Sequence, residues 1–304
     1  SEAHISGTDP IRLVLYEFLP FVPAYNATKL LDSFLLGLGT FLLLRHFRHR
    51  VWLSIAGALC VQFAGGHTLF QTPLCVSACA TWYPWIWLAW SQFVRHRHRA
   101  WLVAAGVFCA CCIAAGNQQT HAFLALFGVC FVIGHWLVAS RDGQPAISAV
   151  IISGVLGALL AAPVLVPQIE LYLLCQRAPA FADFTKIQLL TGPASLAGFF
   201  PWALGTFRTI DLSKLFGQGG LGFCIFIGCA GLILATVGAA RVFNRSGRTA
   251  ESCTAVLLLA AYLVICSTPL VAIFYTRVAI LVTVGLGLLA VAGAEVLLQQ
   301  SATI

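Results

Sequence analysis

The sequence predicts an all-α, polytopic membrane protein, and two properties of its composition support this. Of the 304 residues, 60% are hydrophobic and 9% are charged, with a mean hydropathy of +0.92. A soluble domain carries about 25% charged residues, so this chain has too few to cover a water-exposed surface. The apolar residues also fall in long runs, which is typical of membrane-spanning helices.

About nine apolar runs follow one another, each interpreted as one span. Their approximate limits are 27–44, 51–64, 73–93, 101–116, 122–140, 146–166, 221–240, 255–266 and 278–298. Some runs are short, so we expect tilted or incompletely crossing helices. The predicted organisation is an extracytoplasmic segment 1–26, transmembrane helices 1–6 in 27–166, an extracytoplasmic loop with interfacial helices in 167–220, and transmembrane helices 7–9 in 221–304.

The loops between the runs alternate in charge. Those after the first, third, fifth and seventh runs are rich in arginine, as in 45–50 and 95–99, whereas the intervening loops hold few basic residues for their length. Because basic loops stay on the cytoplasmic side, segments 1–26 and 167–220 are predicted to lie outside. Topology thus explains the net charge of +7, and we expect no nucleic-acid partner.

The chain contains 12 cysteines, several of them inside apolar runs. No pair has CxxC spacing near histidines, so we expect no zinc site, and no acidic cluster indicates another metal. We interpret the cysteines as small buried apolar residues. Cys75 and Cys79, four residues apart, are the one pair considered for a disulfide.

Two turns on the predicted outer side are rich in polar residues. Both contain glycine, glutamine and histidine, and polar groups at membrane depth point to function. Their shared side predicts one pocket for a polar ligand, although helix capping and turn formation would also explain glycine, asparagine and threonine there. The pocket residues are His67, Gln71, Gln118, Gln119 and His121.

Three arginines near the predicted outer boundary are candidates for binding a phosphate, which arginine holds by paired hydrogen bonds. Arg177 follows the proline-containing segment 163–170, and Arg277 lies just before the last run. Snorkelling to the interface is the alternative, and we favour it for Arg208.

Aromatic residues crowd the third run over 82–87. They could line a groove for a sugar or a polyprenyl chain, although an interfacial or packing role is more common.

Several of these motifs together resemble the YfhO-like bacterial membrane proteins. The resemblance rests on segments 63–67, 82–85, 115–119, 162–170 with Arg177, and 200–201 with 217–220. YfhO-like proteins are similar to the GT-C glycosyltransferases, which take a sugar from a polyprenyl-phosphate carrier. The resemblance implies a GT-C-like fold in the bacterial inner membrane, with the functional face extracytoplasmic and with membrane lipids and the carrier as partners.

The resemblance also implies an inverting transfer without a cofactor, in which polyprenyl-phosphate-sugar is the donor substrate. A carboxylate takes a proton from the acceptor hydroxyl, while cations hold the leaving phosphate. Asp9 or Glu170 would be the base, and Arg177 and Arg277 would hold the phosphate. Family members begin with a span before the catalytic loop, so we expect sequence upstream of Ser1, where the carboxylate could also lie.

Two other functions remain open. A non-catalytic GT-C-like subunit of a larger membrane complex would share the fold without the carboxylate, and other membrane subunits would be its partners. A transporter or flippase for the lipid carrier is disfavoured, because coupling sites usually lie near the middle of the membrane and we expect no ionisable residue at mid-span.

Overall fold

The computed structural model describes residues 10–64, 74–115, 118–138, 140–174, 227–243, 248–266 and 279–301. All regular secondary structure in these ranges is α-helical. The helices are α1 (Pro10–Phe18), α2 (Phe21–His46), α3 (Val51–Gln62), α4 (Leu74–His96), α5 (Ala100–Ala114), α6 (Gln118–Val138), α7 (Ser140–Leu160), α8 (Ala162–Leu174), α9 (Cys229–Phe243), α10 (Ala250–Cys266) and α11 (Ala279–Ser301).

Four helices are long and apolar enough to cross a membrane. They contain the stretches Phe21–His46, His121–Val138, Gly143–Leu160 and Leu281–Ser301. Helices α3, α5, α9 and α10 are apolar but shorter. The prediction of an all-α protein with apolar helices is confirmed, while within the described ranges four helices, and not nine, have the length and composition of a full span.

Helix α4 lies at the centre of the bundle, where it packs against α2, α5 and α7. Its aromatic side chains face inward, and Tyr83, Trp87 and Trp90 are almost completely buried. The Phe127 ring of α6 lies 5.3 Å from the Trp87 ring and 5.0 Å from the Trp90 ring. Of the two roles considered for the aromatic run, the structure therefore shows packing at these positions.

Helices α2 and α4 run parallel. The Thr81 hydroxyl donates a hydrogen bond to the Asp32 carbonyl at 3.1 Å, and the Trp85 indole N–H donates to the Leu35 carbonyl at 3.0 Å. Because the paired positions advance in the same direction along both helices, the C-terminal ends of α2 and α4 lie on the same side of the bundle.

We call that side the basic end and define it as residues 45–50 and 95–99. Arg48 and Arg97 have φ values of 65° and 57°, the left-handed conformation that often ends a helix. The carbonyl ends of two helices favour the cations that follow them. The sequence predicts that these two loops lie on one side of the membrane, and in the structure both lie at one end of the bundle.

The last helix reaches the basic end as well. Glu295 lies 2.9 Å from the His49 ring nitrogen Nδ1 and accepts a hydrogen bond from the Arg50 backbone N–H at 3.2 Å. Since Glu295 is near the C-terminus of α11, this helix begins at the opposite end of the bundle and finishes at the basic end.

The buried thiols are part of the apolar interior. Cys79 has a free thiol, which donates to the Cys112 carbonyl at 3.4 Å. The disulfide considered for Cys75 and Cys79 is therefore not formed. Cys109, Cys112 and Cys130 are buried and free, as expected for small apolar residues in a helical bundle.

Glycines permit the closest helix contact, between α9 and α11. A Cβ atom at Gly238 would overlap the Leu289 carbonyl oxygen, and one at Gly293 would overlap the Leu234 carbonyl oxygen. Close backbone approach at small residues is how helices associate in membranes, where lipid is as apolar as the helix surface.

We expect Gly293→Ala to destabilise the protein by about 1–3 kcal/mol, because the added methyl group meets backbone and no flexible side chain. Thermal unfolding in detergent micelles measures the effect. Gly154→Ala is the matched control, since a Cβ there meets nothing within 4 Å. Equal unfolding temperatures for the two variants would contradict the α9–α11 packing.

Candidate functional site

The first turn of α6 brings three of the predicted pocket residues to one place. Gln118, Gln119 and His121 all lie in this turn, and the His121 ring lies beside the backbone of Ile113 near the end of α5. Helix α5 starts directly after the basic end, at Ala100. The polar turn therefore lies at the end of the bundle opposite the basic end.

One ring nitrogen of His121 is buried. Nε2 has no hydrogen-bond partner among the described residues. A neutral imidazole nitrogen that carries no proton accepts a hydrogen bond. The ring can therefore receive a hydrogen bond from a hydroxyl or amide that enters this end of the bundle.

Glu170 lies at the same end. Helices α6 and α7 are antiparallel, because Gly128 lies beside Val150 and Gly143 lies beside Trp136. Helix α7 therefore finishes opposite the basic end, and α8 continues from there with Glu170 exposed. Among the described residues no hydrogen bond or ion pair joins Glu170 to His121.

The remaining predicted site residues do not belong to the part of the chain that the structure describes. Asp9, His67, Gln71, Arg177 and Arg277 lie outside the described residues, as do the side chains of Gln118 and Gln119. The structure thus brings one turn of the predicted pocket and one candidate base to the same end.

A buried charge pair joins α1 to the middle of α2. The Arg12 guanidinium lies 3.1 Å from an Asp32 carboxylate oxygen, and the two side chains are 2% and 6% exposed. Asp32 is the twelfth of the 26 residues of α2. The expectation that no ionisable residue lies at mid-span is therefore wrong, because the positive charge of Arg12 compensates the carboxylate.

The surroundings of the pair are also hydrogen-bonded. The Thr28 hydroxyl donates to the Ala24 carbonyl at 2.8 Å, one turn before the aspartate. Thr81 of α4 donates to the carbonyl of Asp32 itself. The pair therefore lies where α1, α2 and α4 meet.

One signal in the sequence could have revealed this site. An acidic residue inside the apolar run 27–44 requires a partner, since an isolated charge at this depth is costly. The candidate cations are the few basic residues outside the arginine-rich loops, and Arg12 is one of them.

No family model, curated protein or solved structure matches this chain. Within the described ranges, no group of three or more His, Cys, Asp or Glu side chains has the arrangement needed to hold a metal ion.

We expect Asp32→Leu to destabilise the protein by about 3–5 kcal/mol, because it leaves the Arg12 charge buried without its carboxylate. The double variant Arg12→Met/Asp32→Leu should recover most of this loss, since it removes both charges. Unfolding of Asp32→Leu, Arg12→Met and the double variant in detergent micelles measures the coupling. Additive effects of the two substitutions would show that the pair contributes nothing as a pair.

Proposed function

We propose that the chain is an integral membrane glycosyltransferase, which moves a sugar from a polyprenyl-phosphate donor to an acceptor at the end opposite the basic end. The observation that supports it is the buried Nε2 of His121, which has no hydrogen-bond partner among the described residues and lies in the same turn as Gln118 and Gln119. Amide and imidazole groups at the membrane boundary suit the hydroxyl groups of a sugar.

The proposed chemistry assigns a role to each candidate residue. Glu170 or Asp9 takes the proton of the acceptor hydroxyl, and the acceptor oxygen forms a bond to the anomeric carbon. The bond from that carbon to the phosphate oxygen breaks, and its electron pair leaves on the polyprenyl phosphate. Arg177 and Arg277 stabilise the phosphate charge, while the pocket residues bind the sugar.

The exposure of Glu170 at the end of the bundle where His121 lies supports its role as base. We further propose that the basic end faces the cytoplasm of a bacterial inner membrane, following the sidedness of arginine-rich loops. The reaction would then take place at the extracytoplasmic face, and the GT-C-like fold belongs to the same proposal.

The transfer is tested by release of polyprenyl phosphate from a labelled polyprenyl-phosphate-sugar, in membranes that contain the full chain. We expect Arg177→Ala to lower the rate by about 100-fold or more, as loss of a group that stabilises transition-state charge does. His121→Ala should lower it less, because it binds substrate and carries no part of the charge.

His98→Ala is the control for these variants, because His98 is an exposed residue of the basic end. It should leave the release rate unchanged. Unaltered release in Arg177→Ala would refute the phosphate assignment. If intact protein releases nothing from several donors, the non-catalytic subunit of a membrane complex becomes the better interpretation.

A further inference from the structure

Three polar side chains form a row on the inner face of α4. Tyr83, Trp87 and Ser91 are spaced four residues apart and are 2%, 0% and 4% exposed. The Tyr83 hydroxyl, the Trp87 indole nitrogen and the Ser91 hydroxyl have no hydrogen-bond partner among the described residues. A buried polar group without a partner costs about 1–3 kcal/mol, so three in one row call for a physical explanation.

Two other tryptophans of the same helix donate hydrogen bonds through their indole N–H groups. Trp90 is 1% exposed and donates to the Ser153 hydroxyl at 2.8 Å. The partly buried Trp85 donates to the Leu35 carbonyl at 3.0 Å. Trp87 therefore differs from Trp90 in its hydrogen bonding and not in its burial.

The three polar side chains share one face of α4. Side chains four residues apart lie on the same helix face, and four residues of α-helix rise roughly 6 Å. The Tyr83 hydroxyl, the Trp87 indole nitrogen and the Ser91 hydroxyl therefore belong to one polar strip inside the apolar bundle.

The side chain that packs against the row favours water over a larger ligand. The Phe127 ring lies 6.1 Å from the Tyr83 ring and 5.3 Å from the Trp87 ring. Ring contacts this close argue against a larger ligand on the Phe127 side. Internal waters typically bond buried polar groups that are otherwise unsatisfied.

We propose that Tyr83, Trp87 and Ser91 bind a file of internal water molecules in the core of the bundle. The waters accept from the Trp87 indole and exchange hydrogen bonds with the two hydroxyls. Because α4 ends at the basic end, the file runs along the helix toward Arg95. This inference does not depend on the glycosyltransferase proposal.

Hydroxyl-radical footprinting by X-ray radiolysis tests the proposal, because radicals formed from bound water oxidise the side chains that hold it. The full chain is irradiated in lipid nanodiscs with ¹⁸O-labelled water, and oxidation is located by mass spectrometry. We expect Trp87 to be oxidised several-fold faster than Trp90, which is equally buried but bonded to Ser153. Equal rates for the two tryptophans would overturn the proposal.

A substitution tests whether the file is continuous. Trp87→Phe removes the middle donor and keeps an aromatic ring, so the oxidation of Tyr83 should fall several-fold. Trp90→Phe is the matched control and should leave Tyr83 unchanged. Unchanged oxidation of Tyr83 in Trp87→Phe would contradict the file. If a variant does not fold, the comparison of Trp87 with Trp90 in the wild-type protein still tests the proposal.

Discussion

Pairing of polar groups away from water is the constraint on which the rest of this structure depends. In an apolar bundle, every backbone group must be satisfied internally, and α-helices do so throughout the described residues. Side chains obey the same constraint: Arg12 pairs with Asp32, and Trp90 donates to Ser153. The row of Tyr83, Trp87 and Ser91 on α4 departs from it and is best understood as a site for water.

The two ends of the bundle differ in chemistry because the helices alternate in direction. Arginine and histidine collect where α2 and α4 finish, and Glu295 of α11 joins them. At the other end lie the polar first turn of α6 and the exposed Glu170. Close glycine contacts such as that between α9 and α11 hold this arrangement together with the polar bonds between helices.

The hydrophobic runs and the basic loops of the sequence predict the class of fold well. They do not predict which helix lies at the centre of the bundle. Helix α4 is rich in aromatic residues, and only the packing shows that Trp87 is fully buried. The charge pair is hard to predict because one carboxylate barely changes the hydropathy of a long run, and its partner Arg12 lies 20 residues away from Asp32. The alternation of basic loops predicts the end of the bundle at which His121 lies, but not the burial of its Nε2.

The proposed function requires the two ends of the bundle to face opposite sides of the membrane. An epitope inserted between Gly116 and Asn117, and another between His98 and Arg99, would be probed with an impermeant antibody in bacterial spheroplasts. We predict that the first is recognised in intact spheroplasts and the second only after they are permeabilised. Recognition of the second epitope in intact spheroplasts, or of both on one side, would contradict the proposed sidedness and the external site that follows from it.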